Sequence, residues 1–295
     1  MVSVFRRRSI LRLAACLCCL LLSSACGTPN QNSGVASPQG TVLPTPAATV
    51  AAPGNLITAG SLTVGTDPSY IPMEYLDTAN NQFIGFDIDM SNTLAQHMGL
   101  KLDVKRTGFD TLLEDLTNKR FDIVLAAVTI NDERKVKYDF VPYFRAGESL
   151  LVQKGNPLSI KSVADLCGRK VGVQTGTVEN TDLTAASKTC QKNGKATIAQ
   201  TVLQSQTDVI QLLANRRVDA TYQDSPVTDY YNKINPGQFE VGGSVVTSAT
   251  YGIVVRKGDN STLNAVTNAF KAVRSDGTYD KLFSKWSFSP QQKLS

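Results

Sequence analysis

The chain has 295 residues, 42% of them hydrophobic, with 30 lysines and arginines against 25 aspartates and glutamates. Four of the arginines and none of the acids lie in the first 25 residues, so the remainder carries 26 basic and 25 acidic side chains. This near-neutral balance argues against a nucleic-acid partner, and no segment after residue 25 approaches the ~20 apolar residues needed to cross a bilayer.

The first 25 residues predict a secretory signal, because arginines precede an apolar run at 13–22. Ser23, Ser24 and Ala25 stand directly before Cys26, and small residues before a cysteine resemble the cleavage site of a bacterial lipoprotein. We therefore expect Cys26 to be lipidated and to become the mature N-terminus, with a plain secretory signal as the alternative. The protein would then lie outside the cytoplasm, held at the outer face of the cell membrane by that lipid alone.

Residues 26–55 predict a disordered tether. Between 27 and 55 there is no charged residue, and proline, serine, threonine, glutamine, alanine and glycine dominate. Such a composition cannot bury enough apolar surface to fold. We expect folded structure to begin near Leu56, which leaves about 240 residues, enough for two lobes.

Residues 85–98 predict a helix with one buried face. Phe86, Met90 and Leu94 follow one another at a spacing of four, which places them on one stripe. Asp87 and Asp89 fall in the first turn, where the helix dipole favours negative charge. We expect both acids to be solvated and to make no contact with a ligand.

A helix-turn-strand unit occurs twice along the chain. Residues 116–123 and 213–220 share leucine, asparagine, arginine and aspartate in register, and each copy follows an amphipathic helix. Each copy leads into an apolar strand, predicted at 121–128 and at 218–222, and a second pair of similar strands is predicted at 62–66 and 170–173. The repetition predicts an α/β fold with two similar lobes.

Two cysteines remain beyond the signal region, Cys167 and Cys190. Extracytoplasmic compartments are oxidising, so we expect these two to form a disulfide. Closing that loop would contribute roughly 3 kcal/mol to stability. Two free buried thiols are the alternative.

The predicted strand ends carry polar side chains, and in open α/β sheets ligands collect at the carboxyl ends of strands. An acid from each lobe, several hydroxyls and a glycine-containing turn would suit a small zwitterion, although a sugar or an anion is equally compatible with the composition. The candidate segments are 66–67, 127–129, 174–177 and 223–224.

The segment 85–98 fits the signature of one protein family at every restricted position. Over about 56–286 the chain resembles the bacterial extracellular solute-binding proteins of family 3, which bind polar amino acids for ABC importers. Further matching segments are 64–75, 129–134, 171–177 and 276–281.

This resemblance implies a periplasmic binding protein type 2 fold, with two lobes that each hold a mixed sheet flanked by helices. It places lobe 1 at 56–145 plus 251–295 and lobe 2 at 146–250. The two crossovers between them, near 146–149 and 246–250, would form the hinge. No cofactor and no metal are implied.

The resemblance also assigns roles to single residues. Arg134 would clamp the ligand α-carboxylate with its planar guanidinium, the alternative being a solvated arginine on a turn. Asp224 would pair with the ammonium group from the opposite lobe, although an aspartate before Ser-Pro is also typical of a helix N-cap. Thr129 and Thr177 would add hydroxyls or amides, and Ala127 a carbonyl.

Four further residues would surround the ligand side chain. Tyr70 and Phe109 match aromatic positions that sandwich it, and both also fit an ordinary core. Asp67 and Gln174 would lie at its far end, with Glu74 nearby, and would favour glutamine, arginine, lysine or histidine over glutamate. Asp67 precedes a proline and is equally typical of a turn.

The expected function is therefore capture of a polar or basic amino acid by hinge closure and delivery to a membrane permease, by a monomeric protein that is not an enzyme. Two alternatives remain open. One is an extracytoplasmic cyclohexadienyl or arogenate dehydratase on the same fold, for which Asp67 or Glu74 would act as the acid-base residue. The other is a ligand-sensing accessory protein.

Overall fold

The computed structural model describes residues 48–245 and 249–294. The signal peptide, Cys26 and most of the predicted tether lie outside the described residues. No helix within the described part of the chain is long and apolar enough to span a membrane.

Ordered structure begins earlier than predicted. The backbone amides of Thr49 and Val50 both donate to the carbonyl of His97, and the amide of Gly54 donates to the hydroxyl of Ser261. Val50 also packs against the main apolar core. The prediction of a disordered tether is therefore wrong for residues 48–55, because one apolar side chain and a few backbone bonds dock this stretch on the folded part.

The described residues form strands and helices in alternation. The strands are β1 Ser61–Thr66, β2 Ser69–Tyr70, β3 Glu74–Asp77, β4 Gln82–Ile84, β5 Lys101–Arg106, β6 Ile123–Val124, β7 Tyr138–Ala146, β8 Glu148–Gln153, β9 Lys170–Gln174, β10 Ala199–Leu203, β11 Ala220–Asp224, β12 Phe239–Val241 and β13 Ala249–Arg256. The α-helices are α1 Phe86–His97, α2 Phe109–Thr117, α3 Asp132–Lys137, α4 Val178–Lys192, α5 Gln206–Ala214, α6 Ser225–Ile234, α7 Asn260–Ser275 and α8 Thr278–Lys285, and short 3₁₀ turns occur at Val163–Leu166 and Pro290–Gln292.

Two five-stranded mixed sheets carry the fold. The first has the order β5-β1-β6-β13-β7, and the second has the order β10-β9-β11-β8-β12. In each, the first three strands are parallel and the fourth is antiparallel to its neighbours. We call the part built on the first sheet the first lobe and the part built on the second sheet the second lobe. The predicted α/β fold with two similar lobes is confirmed.

The sequence repeats occupy matching places in the two sheets. The similar strands β1 and β9 are each the middle strand of a parallel triplet. The repeated helix-turn-strand units are α2 with β6 and α5 with β11. Strand β6 spans only two residues where the pattern predicted eight, because only Ile123 and Val124 pair with β1 in a regular ladder and Ala127 soon afterwards adopts a left-handed backbone conformation.

The chain changes sheets at two places. Only Gly147 lies between β7 of the first sheet and β8 of the second. The return leads from β12 to β13 through residues 246–248, which lie outside the described residues. Strand β13 begins at Ala249, two residues ahead of the predicted boundary. We keep 56–145 plus 251–295 and 146–250 as proposed lobe limits.

Helix α1 has the buried stripe that its sequence predicts. Phe86, Met90 and Leu94 are fully buried, and the ring of Phe86 packs edge-to-face on Phe144 and Phe283. Burying each such side chain stabilises the fold by about 1.5–3 kcal/mol. The helix thereby fixes its own N-terminus against the sheet.

A disulfide joins Cys167 and Cys190 in the second lobe, with their Cα atoms 5.6 Å apart. Cys167 directly follows the 3₁₀ turn Val163–Leu166, and Cys190 is buried near the C-terminal end of α4. The bond therefore ties α4 to the segment that leads into β9.

Candidate ligand-binding site

A small enclosed cavity lies where the carboxyl ends of strands from both sheets face each other. Seven of the nine predicted ligand residues line it, together with two residues that were not predicted. Its walls are Tyr70, Phe109, Ala127, Thr129, Arg134, Thr177, Val178, Glu179 and Asp224. The cavity measures about 10 Å³, which is roughly the space that one water molecule requires.

Arg134 reaches from the first lobe to the second. Its backbone is set by α3, whose N-cap Asn131 accepts a hydrogen bond from the Arg134 amide at 2.8 Å. The guanidinium donates to the carbonyl of Thr129 at 2.7 Å and to the carbonyl of Gly176 at 3.2 Å. It also lies 5.8 Å from the ring centre of Phe109. Arg134 is therefore a cleft residue, unlike the solvated turn arginine of the alternative interpretation.

The N-terminus of α4 forms the wall opposite Arg134. Thr177 is the N-cap: its hydroxyl accepts from the Asn180 amide at 3.2 Å and donates to the Gln174 carbonyl at 2.9 Å. The predicted hydroxyl contact of Thr177 with a ligand would thus compete with its capping role. The free amides of the first helical turn and the helix dipole favour an anion here.

Asp224 stands at the N-cap position of α6, yet its side chain makes no capping bond. Its Oδ2 accepts a hydrogen bond from the hydroxyl of Tyr70 at 2.7 Å, and its backbone amide donates to the same hydroxyl at 3.2 Å. Its Oδ1 is buried and has no hydrogen-bond partner among the described residues. Burial raises the pKa of Asp224 to about 7, and the Tyr70 hydrogen bond opposes that rise.

Tyr70 and Phe109 serve the core and the cavity together, so their two interpretations do not exclude each other. Tyr70 is 6% exposed and belongs to the main apolar cluster, while its hydroxyl holds Asp224. Phe109, the first residue of α2, packs partly on a second apolar cluster and lies beneath the Arg134 guanidinium.

Glu179 is the cavity residue that the sequence analysis missed. It is the second residue of α4, is 2% exposed, and its Oε1 has no hydrogen-bond partner among the described residues. Burial and the neighbouring carboxyl of Asp224 raise its pKa well above the ordinary value. An acid in the first turn of a helix is usually explained by the helix dipole. The one sequence signal that pointed to Glu179 as a cavity residue is its position shortly after the end of a strand.

Asp67 and Gln174 do not line the enclosed cavity. They contact each other across the lobes, with Gln174 Nε2 donating to Asp67 Oδ2 at 2.6 Å. The same Nε2 donates to the carbonyl of Gln204, and Asp67 also accepts from the hydroxyl of Ser69. Burial raises the pKa of Asp67 to about 6 against the effect of these bonds. Asp67 faces a larger outer cleft of about 960 Å³ that also contains Arg106.

The expectation that Asp87 is solvated is wrong. Asp87 is fully buried, and its Oδ2 accepts from the Ala127 amide at 2.8 Å and from the Tyr143 hydroxyl at 2.7 Å. Asp89 meets the expectation better, because it lies at the surface, where Lys285 and the indole of Trp286 bind it. A Cβ atom at position 85 would clash with the carbonyl oxygen of Met73, so only glycine permits the close approach that accompanies the buried position of Asp87.

His97 contacts two polar side chains. Nδ1 of His97 lies 2.8 Å from the hydroxyl of Thr49, and Nε2 lies 3.1 Å from Asp276 Oδ2. Within 48–245 and 249–294, no group of three or more metal-binding side chains is placed to hold an ion.

Comparisons with known proteins concern the family and the fold. The sequence model of the bacterial extracellular solute-binding proteins, family 3, matches residues 62–289. The L-cystine-binding protein TcyJ of Escherichia coli (strain K12) is 34% identical over 229 residues, which cover 77% of this chain and 82% of TcyJ.

Two solved structures are also similar. An ancestral arginine-binding protein bound to arginine has a TM-score of 0.71 and 37% identity, covering 77% of this chain and 98% of its own. The ancestral amino acid-binding protein AncCDT-1, a precursor of cyclohexadienyl dehydratase, has a TM-score of 0.69 and 38% identity, covering 77% and 95%. The predicted type 2 periplasmic binding protein fold is confirmed.

Proposed function

Because this chain belongs to the bacterial extracellular solute-binding proteins of family 3, we propose that it captures a polar or basic amino acid between its lobes and delivers it to the permease of an ABC importer. The relatives named for amino acid binding support the class of ligand.

One observation carries the proposal: opposite charges from the two lobes face the same enclosed cavity. Arg134 of the first lobe supplies a planar cation, and Asp224 of the second lobe supplies a carboxylate whose Oδ1 lacks a partner. An α-amino acid presents the complementary pair, a carboxylate for Arg134 and an ammonium for Asp224. Leaving Oδ1 buried without a partner is costly even though Oδ2 accepts from Tyr70, so an ammonium at Oδ1 would stabilise the closed site.

Binding requires the lobes to separate, because a cavity of about 10 Å³ does not hold an amino acid. Among the contacts that now cross the cleft, those of Arg134 with the Gly176 carbonyl and of Tyr70 with Asp224 involve cavity residues and would yield. Rotation about Gly147 and the return crossover would open the cleft. The ligand would then replace these cross-lobe bonds with its own carboxylate and ammonium.

Glu179 supports the preference for a basic or hydrogen-bonding side chain. Once Arg134 holds the carboxylate and Asp224 the ammonium, Glu179 is the acid left to meet the side chain. A cationic side chain would bring Glu179 to its ionised form, and a neutral amide would bond to its protonated form. A glutamate ligand would face like charge.

A thermal-shift panel tests this function. The purified protein, unfolded and refolded to remove bound ligand, would be tested with the twenty amino acids, ornithine, citrulline and cystine. A ligand at a hundred times its Kd adds about 2.7 kcal/mol to the free energy of unfolding. We expect arginine, lysine, histidine or glutamine to stabilise the protein. If no amino acid does so, the proposed function is wrong.

A dehydratase remains the second candidate, and Glu179 is the observation that favours it. Such an enzyme needs a protonated acid beside the leaving group of its substrate, and burial raises the pKa of Glu179 well above its ordinary value, which favours the protonated form. In this second candidate function the acid-base residue would be Glu179, in place of Asp67 or Glu74. Incubation with prephenate and arogenate, followed by mass spectrometry, decides the matter: product that forms with the wild type and not with E179Q supports the enzyme, and no product rejects it.

We also propose that Cys26 carries a lipid, that the protein acts as a monomer at the outer face of the membrane, and that a permease rather than a receptor is its partner. Mass spectrometry of the mature N-terminus tests the lipid. An unmodified N-terminus after signal cleavage would leave a plain secreted protein.

A further inference from the structure

Two acids are buried against each other behind the cavity wall. Glu74 begins β3 and Asp87 is the second residue of α1, and neither side chain is exposed. Their chain segments are clamped together by the backbone, since the Phe86 amide donates to the Pro72 carbonyl at 3.1 Å and the Asp87 amide donates to the Met73 carbonyl at 2.8 Å.

Three oxygens of the two carboxyls are buried without a hydrogen-bond partner among the described residues. They are both oxygens of Glu74 and Oδ1 of Asp87, on chain segments that the backbone bonds hold together. Two carboxyls bond to each other only when a proton lies between them. Because Asp87 Oδ2 already accepts two hydrogen bonds, Glu74 is the better proton donor and Asp87 the acceptor.

The surroundings oppose a second negative charge. The donors to Asp87 are neutral, the hydroxyl of Tyr143 and the amide of Ala127. The other titratable groups that face the pair are the acids Asp67 and Asp224. Burial, followed by the charge of Asp87, raises the pKa of Glu74 well above its ordinary value, and burial raises the pKa of Asp87 to about 7.

Ala127 connects this pair to the ligand cavity. Its backbone has φ = 47°, in the left-handed region that an alanine rarely adopts, and it lines the cavity beside Thr129. Such a conformation is unfavourable and persists only when its surroundings fix it. The bond from the Ala127 amide to Asp87 is the contact that fixes it here.

We propose that Glu74 and Asp87 share a proton, that this pair positions Ala127 for ligand binding, and that loss of the proton weakens the site. The inference rests on the proposed function for its last step only. Glu74 and Asp87 are positioning residues, since neither lines the cavity.

The test compares E74Q, which keeps a donor toward Asp87 and has no proton to lose, with E74A, which removes the donor. The probe is L-arginine, with Kd measured calorimetrically on the full chain from about pH 5.5 to 9. One linked proton changes Kd by up to about tenfold per pH unit. We expect the wild type to lose affinity at high pH relative to E74Q, and E74A to bind weakly throughout. Parallel profiles of wild type and E74Q would overturn the proposal.

Three measurements without ligand separate this inference from the proposed function. The infrared carbonyl band of a protonated carboxyl should be present in the wild type near neutral pH and lose intensity in E74Q. Amide hydrogen exchange at Ala127 should be faster in E74A and unchanged in E74Q. The free energy of unfolding should fall with rising pH more steeply for the wild type than for E74Q. If L-arginine does not bind, these three measurements still decide whether the pair shares a proton and holds Ala127. If none of the three expected differences between the variants is seen, the inference is wrong.

Discussion

The first and second lobes have the same parallel triplet of strands, β5-β1-β6 and β10-β9-β11, but they supply different chemistry to the cavity. The first lobe supplies a cation, Arg134, and hides its own acids Glu74 and Asp87 behind the cavity wall. The second lobe places two acids, Asp224 and Glu179, in the wall itself. The shared strand arrangement therefore fixes the position of the cavity, and the residues that follow each strand determine which ligand chemistry it suits.

The lobes also differ in how their helices are held. In the second lobe a disulfide ties α4 to the segment before β9. In the first lobe α1 is held by edge-to-face packing of the Phe86 ring on Phe144 and Phe283.

Removing the single cation of the cavity should break the site. We expect R134A to weaken amino acid binding by about thirtyfold or more, since truncating one partner of a buried charge pair costs about 2–5 kcal/mol. R106A is the matched control, because Arg106 faces the outer cleft and should change Kd little. Titration calorimetry measures both, and a loss of only a few-fold in R134A would show that the carboxylate binds elsewhere.

Removing the disulfide should affect stability and spare the site. The double variant C167S/C190S should lose roughly 3 kcal/mol of unfolding free energy, from the entropy of an opened loop of this length. The Kd for the ligand should stay within about threefold, because α4 keeps its N-cap at Thr177. Chemical denaturation with and without ligand separates the two effects, and an unchanged stability would assign no role to the bond.

The pH dependence of binding should follow Asp224. Its pKa is raised to about 7, so it gains a proton below that pH and pairs less well with an ammonium. We expect affinity to fall about tenfold per pH unit below pH 7, whereas D224N should bind weakly with a flat profile in that range. The effect of Asp224 on stability has the opposite sign. Its raised pKa contributes stability at acid pH that is lost as the pH rises from about 4 to 7.

Exchanging the unpredicted acid should change selectivity more than affinity. E179Q keeps the size of the side chain and removes its charge, so we expect arginine and lysine to lose about tenfold relative to glutamine, or about 1.4 kcal/mol. D67N is the control, because Asp67 faces Gln174 and the outer cleft. If D67N shifts the ratio of Kd values and E179Q does not, the selective residue is Asp67, as its sequence position indicated.

The sequence by itself determined the parts that depend on local pattern. The stripe on α1 and the repeated helix-turn-strand unit predicted an α/β fold with two similar lobes. The resemblance of residues 85–98 and the other matching segments to one family predicted the family and seven of the residues around the cavity. Periodicity and strand polarity are properties of neighbours along the chain, and they survive without knowledge of distant contacts.

Only the tertiary structure decided which polar groups meet. Asp87 was expected in water and lies buried against Glu74, because Gly85 brings β3 and α1 together. Glu179 lines the cavity although it was not predicted to, and Asp67 does not line it although it was predicted to. The approach of the two lobes pairs Asp67 with Gln174 and leaves Glu179 facing Asp224. Burial and charge at such positions depend on residues that are distant in the chain, as with Asp67 and Gln174, which are 107 positions apart. A local sequence pattern carries no information about such contacts.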